Sequence, residues 1–109
     1  MQTISKVPDQ RPRYTALTPD ELAAALRDLP EWHGDTRRIA RTVTPTDLWS
    51  LLERVAAAEA ELDHHTVVDL DSGTVTFSLW THVRDAVTEA DIALAHRLDA
   101  VIGAGLDAG

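Results

Sequence analysis

The chain contains no cysteine, so disulfides and thiolate metal centres are excluded. It also lacks a long apolar run: nothing approaches the about 20 residues that a membrane-spanning helix requires. Its first fourteen residues are polar, without the apolar centre of a secretory signal, and the expected location is cytoplasmic. Basic residues are in short supply. Ten Lys and Arg stand against eighteen Asp and Glu, a formal charge of −8. A chain of that sign repels a phosphate backbone at long range, so no nucleic-acid partner is expected. The one basic cluster, Arg37, Arg38 and Arg41, reads as a solvated strand face. What is present is 109 residues, 44% of them apolar, enough for one domain with a core of its own.

Residues 1–16 carry Pro8, Pro12 and several charges, and read as a flexible N-terminal arm ahead of a single domain over residues 17–109. The first helix opens at Thr18-Pro19-Asp20-Glu21, a capping box with proline where its missing N–H is harmless. Leu22, Ala25, Leu26 and Leu29 recur at helical spacing, and Pro30 ends the run. Residues 32–36 and 37–43 read as a hairpin around Gly34-Asp35. Thr44-Pro45-Thr46-Asp47 repeats the helix-opening pattern, and a second helix follows to Leu62, apolar along one side except at Glu59. Two strands, residues 66–71 and 74–82, flank the turn Asp71-Ser72-Gly73. In the second of these Val75, Phe77 and Leu79 point one way, and Thr76, Ser78, Trp80 and His82 the other. Residues 83–87 read as a loop. Thr88-Glu89-Ala90-Asp91 opens a third helix through another hydroxyl-to-acid box, with Gly103 and Gly105 as its stop. The order α-β-β-α-β-β-α predicts an α+β fold, a four-stranded antiparallel sheet with three helices on one face.

Three of the five histidines fall in two short segments of this plan. His64 and His65 lie where the second helix gives way to a strand, and His82 lies at the end of the returning strand. A hairpin brings such ends together, which predicts a cluster of imidazoles able to exchange protons near neutral pH. Two plainer readings stand beside this one. A histidine pair at a helix C-terminus is favoured by the helix dipole alone. Asp63, His64, His65 and His82 could also supply metal ligands, but adjacent histidines rarely reach one ion and no short metal motif is present, so no metal is expected. Asp91 is explained by its capping box, and Trp32 by an ordinary core position. His33 and His96 read as surface residues without a role.

Leu17-Thr18, Trp32, Val55-Ala56, His64-His65, Thr81-His82 and Thr88-Glu89-Ala90-Asp91 together resemble the pattern of the pterin-4a-carbinolamine dehydratases. The likeness spans residues 17–102 and needs no insertion or deletion from Val55 to Asp91. It implies loss of water from a 4a-hydroxytetrahydropterin to give quinonoid dihydropterin, without a metal or organic cofactor. It implies His64, His65 and His82 as the catalytic set, with His64 and His82 moving protons and His65 holding the 4a-hydroxyl. Trp32, Thr81 and Asp91 map to further pocket positions. The partners implied are a pterin substrate and other copies of the chain, in a homodimer or homotetramer. Relatives that serve as dimerisation partners of a transcription factor, or in assembly of another enzyme, imply an alternative: a non-catalytic binding module on the same fold. The chain also departs from the pattern. Thr66 stands where proline usually follows the histidine pair, and Ala60 where an acid usually precedes it, with Glu59 and Glu61 on either side. Val68 and Ser72 replace aromatic residues.

Overall fold

A computed structural model describes residues 14–108; residues 1–13 of the expected arm lie outside the described residues. The order is α1 (Pro19–Leu26), β1 (His33–Asp35), β2 (Arg38–Val43), α2 (Leu48–Leu62), β3 (Val67–Asp71), β4 (Thr74–Leu79) and α3 (Glu89–Ala108), with a short 3-10 helix, His82–Arg84, before α3. The α+β order expected from the sequence is the order observed. The four strands form one antiparallel sheet, β1-β2-β4-β3. Among the described residues no helix is long and apolar enough to cross a membrane.

The alternation in β4 determines the layers. Val75, Phe77 and Leu79 are buried, and they face the same core as Ile39 of β2, Leu51 and Val55 of α2, and Leu94, Leu98 and Ile102 of α3. Thr76 points away from them and meets Thr42 on the open face, their hydroxyls 2.8 Å apart. The capping box of α1 forms as the sequence predicts: Glu21 N–H donates to the Thr18 hydroxyl at 3.1 Å, and Thr18 N–H to Glu21 Oε1 at 2.9 Å.

Several expectations are corrected. The second helix is capped by Asp47, whose Oδ1 accepts from Ser50 N–H at 3.1 Å, and not by Thr44. β2 stays paired as far as Val43, so the chain needs the intervening residues to turn from sheet to helix layer, and aspartate is among the best caps available. The third helix runs on through Gly103 and Gly105. Glycine in a helix costs about 1 kcal/mol relative to alanine but does not by itself stop it. The strand carrying His82 ends at Leu79, opposite Ile39 of β2, while β3 reaches only to Val67 opposite Ser78. The ladder of β4 forms no pair past Leu79, and His82 opens a 3-10 turn instead.

Arg41 is also not the solvated residue that the sequence suggested. It shares the core side of β2 with Ile39, is largely covered, and donates from Nη1 to Asp99 Oδ1 of α3 at 2.6 Å. Trp32 Nε1 donates to the same oxygen at 2.8 Å. Trp32 itself is 2% exposed and belongs to the hydrophobic core.

Candidate functional site

The site begins at the end of α2. Asp63 adopts the left-handed conformation, φ 53° and ψ 48°, which aspartate tolerates better than most side chains. His64 N–H donates to Glu59 O at 3.1 Å and Asp63 N–H to Ala60 O at 3.3 Å. This pair of bonds is a Schellman closure, usually built on glycine. It stops the helix and turns His64 back toward the start of α3.

There the His64 ring meets Asp91, with Nε2 2.6 Å from Oδ1. Asp91 has no exposed surface and the His64 side chain is 11% exposed. The other carboxylate oxygen, Oδ2, accepts from the Thr81 hydroxyl at 2.9 Å and from Thr88 N–H at 2.8 Å. Thr81 has one hydroxyl proton, and it goes to Asp91. The 2.7 Å contact between the Thr81 and Thr88 hydroxyls is therefore donated by Thr88. The Thr88 oxygen in turn accepts from Ala90 N–H at 3.2 Å. Asp91 is thus both the capping acid of α3 and the partner of His64. Because a carboxylate accepts, Nε2 carries the proton in the neutral ring and Nδ1 is left without one.

His82 follows Thr81 directly, and so is the chain neighbour of a member of the Asp91 network. It is exposed, and its ring stacks on Trp80 at 4.6 Å between centroids and 14° between planes. Trp80 and His82 share a side, as the strand alternation predicts, even though the strand has ended. The Arg38 guanidinium lies 4.2 Å from the Trp80 ring centre on the open sheet face, a cation–π contact. Thr81 N–H donates to Ala86 O at 2.9 Å, which closes the loop between His82 and α3.

His65 is exposed on the short link between α2 and β3. That link is pinned at Thr66, whose N–H donates to Glu59 Oε2 at 2.7 Å and whose hydroxyl donates to Ser78 O at 3.0 Å. Proline at this position would have no N–H to give. The Glu59 carboxylate, seven residues back, satisfies the donor that threonine introduces. Glu59 was legible in the sequence as the polar break in an apolar helix side, but no role followed from it. Thr88 was legible as a cap, and its hydroxyl link to Thr81 was not. Tyr14, whose ring centre lies 6.0 Å from that of His64, had no sequence signal pointing to it.

The structure therefore joins His64, Asp91 and Thr81 in one hydrogen-bonded chain, with His82 adjoining. Trp32 is engaged with Asp99 in the core. Among the described residues no group of three or more His, Asp and Glu side chains is disposed to hold a metal ion. A groove of about 450 Å³ between α1 and the start of α3, lined by Leu17, Glu21, Ala25, Glu89 and Ile92, contains none of the histidines.

Residues 15–101 match the family model described as pterin 4 alpha carbinolamine dehydratase. A protein of Mycobacterium bovis BCG, provisionally named a pterin-4-alpha-carbinolamine dehydratase, is 40% identical over 91 residues, covering 81% of this chain and 97% of its own. A Nocardia farcinica protein with the same provisional name is 38% identical over 86 residues, covering 76% and 90%. The crystal structure of a transcriptional coactivator/pterin dehydratase from Brucella melitensis superposes with a TM-score of 0.75 at 30% identity, covering 82% of this chain and all of that one.

Proposed function

The chain belongs to the pterin-4a-carbinolamine dehydratase family, and from that premise we propose that it dehydrates a 4a-hydroxytetrahydropterin to the quinonoid dihydropterin by histidine acid–base chemistry. The observation that carries the reading is the 2.6 Å bond between His64 Nε2 and the buried Asp91. It presents His64 Nδ1 as a base and provides a counter-charge for the imidazolium that forms on protonation.

In the proposed step His64 Nδ1 takes the proton from the pterin N5. The N–H electron pair becomes the C4a=N5 bond, and the C4a–O bond breaks with its pair going to oxygen. His82 delivers the proton that lets this oxygen leave as water. His65 holds the hydroxyl. Positioned acid–base groups of this kind contribute about 10²–10⁴-fold each. Thr81 and Asp91 act through His64 as positioning residues, and the burial of Trp32 supports a structural part for it. No cofactor enters the step.

The test is a dehydration assay on freshly generated 4a-hydroxytetrahydropterin. The protein should accelerate water loss, and His64→Ala and His82→Ala should each abolish most of the acceleration. Wild type no faster than buffer would sink the proposal.

A homo-oligomer is part of the same reading. β3 is an edge strand, exposed along its whole length. Val68 and Leu70 pair with Phe77 and Val75 and so face the core side, yet they are 36% and 56% exposed. An open edge flanked by apolar side chains invites a second copy. The lack of cysteine agrees with a cytoplasmic setting. A second reading, a non-catalytic binding or assembly module, is supported by the coactivator half of the Brucella protein's description and by Trp49 and Val83, 75% and 81% exposed. Under it, histidine substitutions leave partner binding unchanged.

A further inference from the structure

We propose that Tyr14 forms a wall of the pterin site, holding the flat substrate ring against the Nδ1 edge of His64. The inference rests on the dehydratase reading for the identity of the ligand. Its own support is geometric.

Tyr14 is fixed in place by the same elements that build the site. Arg84, two residues after His82, donates from Nε to the Tyr14 carbonyl at 2.7 Å. Ala16 forms an antiparallel bridge with Thr88, the residue that caps α3 and bonds to Thr81. Leu17 N–H donates to Val87 O at 3.0 Å. The strap over residues 14–17 is thereby tied three times to the turn between His82 and Asp91. That placement sets the Tyr14 ring 6.0 Å from the His64 ring, tilted by 31°. The spacing leaves no room for a third ring between the two. Tyr14 instead covers one flank of His64, while 38% of its own surface stays open to solvent.

The consequence for His64 is directional. Asp91 occupies Nε2, and Tyr14 screens one side of the ring. A substrate reaches Nδ1 along the remaining side, with the exposed surface of Tyr14 next to it. A planar bicyclic heterocycle gains from an aromatic neighbour in offset or edge contact. Tyr14 would contribute to affinity and alignment and take no part in the proton transfers.

The test pairs turnover with binding. KM and kcat for the 4a-hydroxytetrahydropterin are measured for wild type, Tyr14→Ala, Tyr14→Phe and Arg84→Gln. Affinity for 7,8-dihydropterin, which has no hydroxyl to lose, is measured by tryptophan-fluorescence quenching. Tyr14→Ala should raise KM and weaken dihydropterin binding by about five- to tenfold, the scale of one aromatic contact, while kcat changes by less than about twofold. Tyr14→Phe should recover most of the affinity, because it keeps the ring. Arg84→Gln, which releases one of the three ties and leaves Tyr14 intact, should weaken binding in the same direction by a smaller factor. Wild-type affinity in Tyr14→Ala overturns the assignment. A wild type that binds dihydropterin in a Tyr14-dependent way but does not accelerate dehydration sinks the dehydratase reading and leaves the wall standing.

Discussion

Glu59 holds the chain on both sides of the histidine pair. Its carbonyl accepts the N–H of His64 at 3.1 Å, and its Oε2 accepts the N–H of Thr66 at 2.7 Å. His64 and His65 are therefore bracketed by one residue of the preceding helix, which sets where both imidazoles leave the backbone.

Glu59→Ala removes the acceptor for Thr66 N–H, a partly buried donor, and should destabilise the protein by about 1–3 kcal/mol. Thr66→Pro added to Glu59→Ala removes the orphaned donor as well, and should recover part of both stability and turnover. Urea denaturation and the dehydration assay on the two variants check this. No recovery in the double variant would show that the bracket matters less than the Thr66 hydroxyl.

Asp91→Asn keeps the shape of the side chain but replaces one acceptor oxygen with an amide. His64 then loses its fixed tautomer, and kcat should fall by about 10²-fold or more. Nitrogen-15 NMR of the imidazoles supplies an independent readout. His64 should appear with its proton on Nε2 in wild type and as a tautomer mixture in the variant. An unchanged His64 spectrum would refute the positioning role.

Arg41 and Asp99 should respond unequally to substitution. Asp99→Ala strands a guanidinium whose side chain is only 14% exposed and takes the partner of Trp32 Nε1 with it, costing about 2–4 kcal/mol. Arg41→Met removes the charge together with Nε, a buried atom with no hydrogen-bond partner among the described residues, and should cost clearly less. Chemical denaturation ranks the two, and equal losses would contradict the geometry.

Leu70→Glu places a charge on the core side of the exposed edge strand. Light scattering should show the wild type above monomer mass and this variant shifted toward monomer, with its far-ultraviolet circular dichroism retained. A monomeric wild type would exclude β3 as a standing contact.

Local chemistry was readable along the chain. Thr18 and Glu21 announce their capping box, Thr88 and Asp91 theirs, and Val75, Phe77 and Leu79 announce the buried face of β4. These signals act over three residues or fewer, so sequence spacing alone contains them. Where two local signals compete, sequence order does not choose between them. Thr44 and Asp47 are both sound caps, and the need to leave the sheet after Val43 selected the second. Gly103 and Gly105 can end a helix or be passed over, and here the helix continues.

The sequence by itself determined the order of elements, the faces of the strands and the presence of three histidines at two chain reversals. Only tertiary structure decided that Asp91 both caps α3 and holds His64, that Glu59 serves Thr66, that Arg41 turns inward to Asp99, and that Tyr14 lies over His64. The physical reason is separation. Each of these contacts joins groups from different elements, and a hydrogen bond or ring contact exists only once packing has brought its two halves within a few ångströms. Residue spacing records what a helix or strand does to its own neighbours, whereas the meeting of two such elements is settled by the core that they bury together.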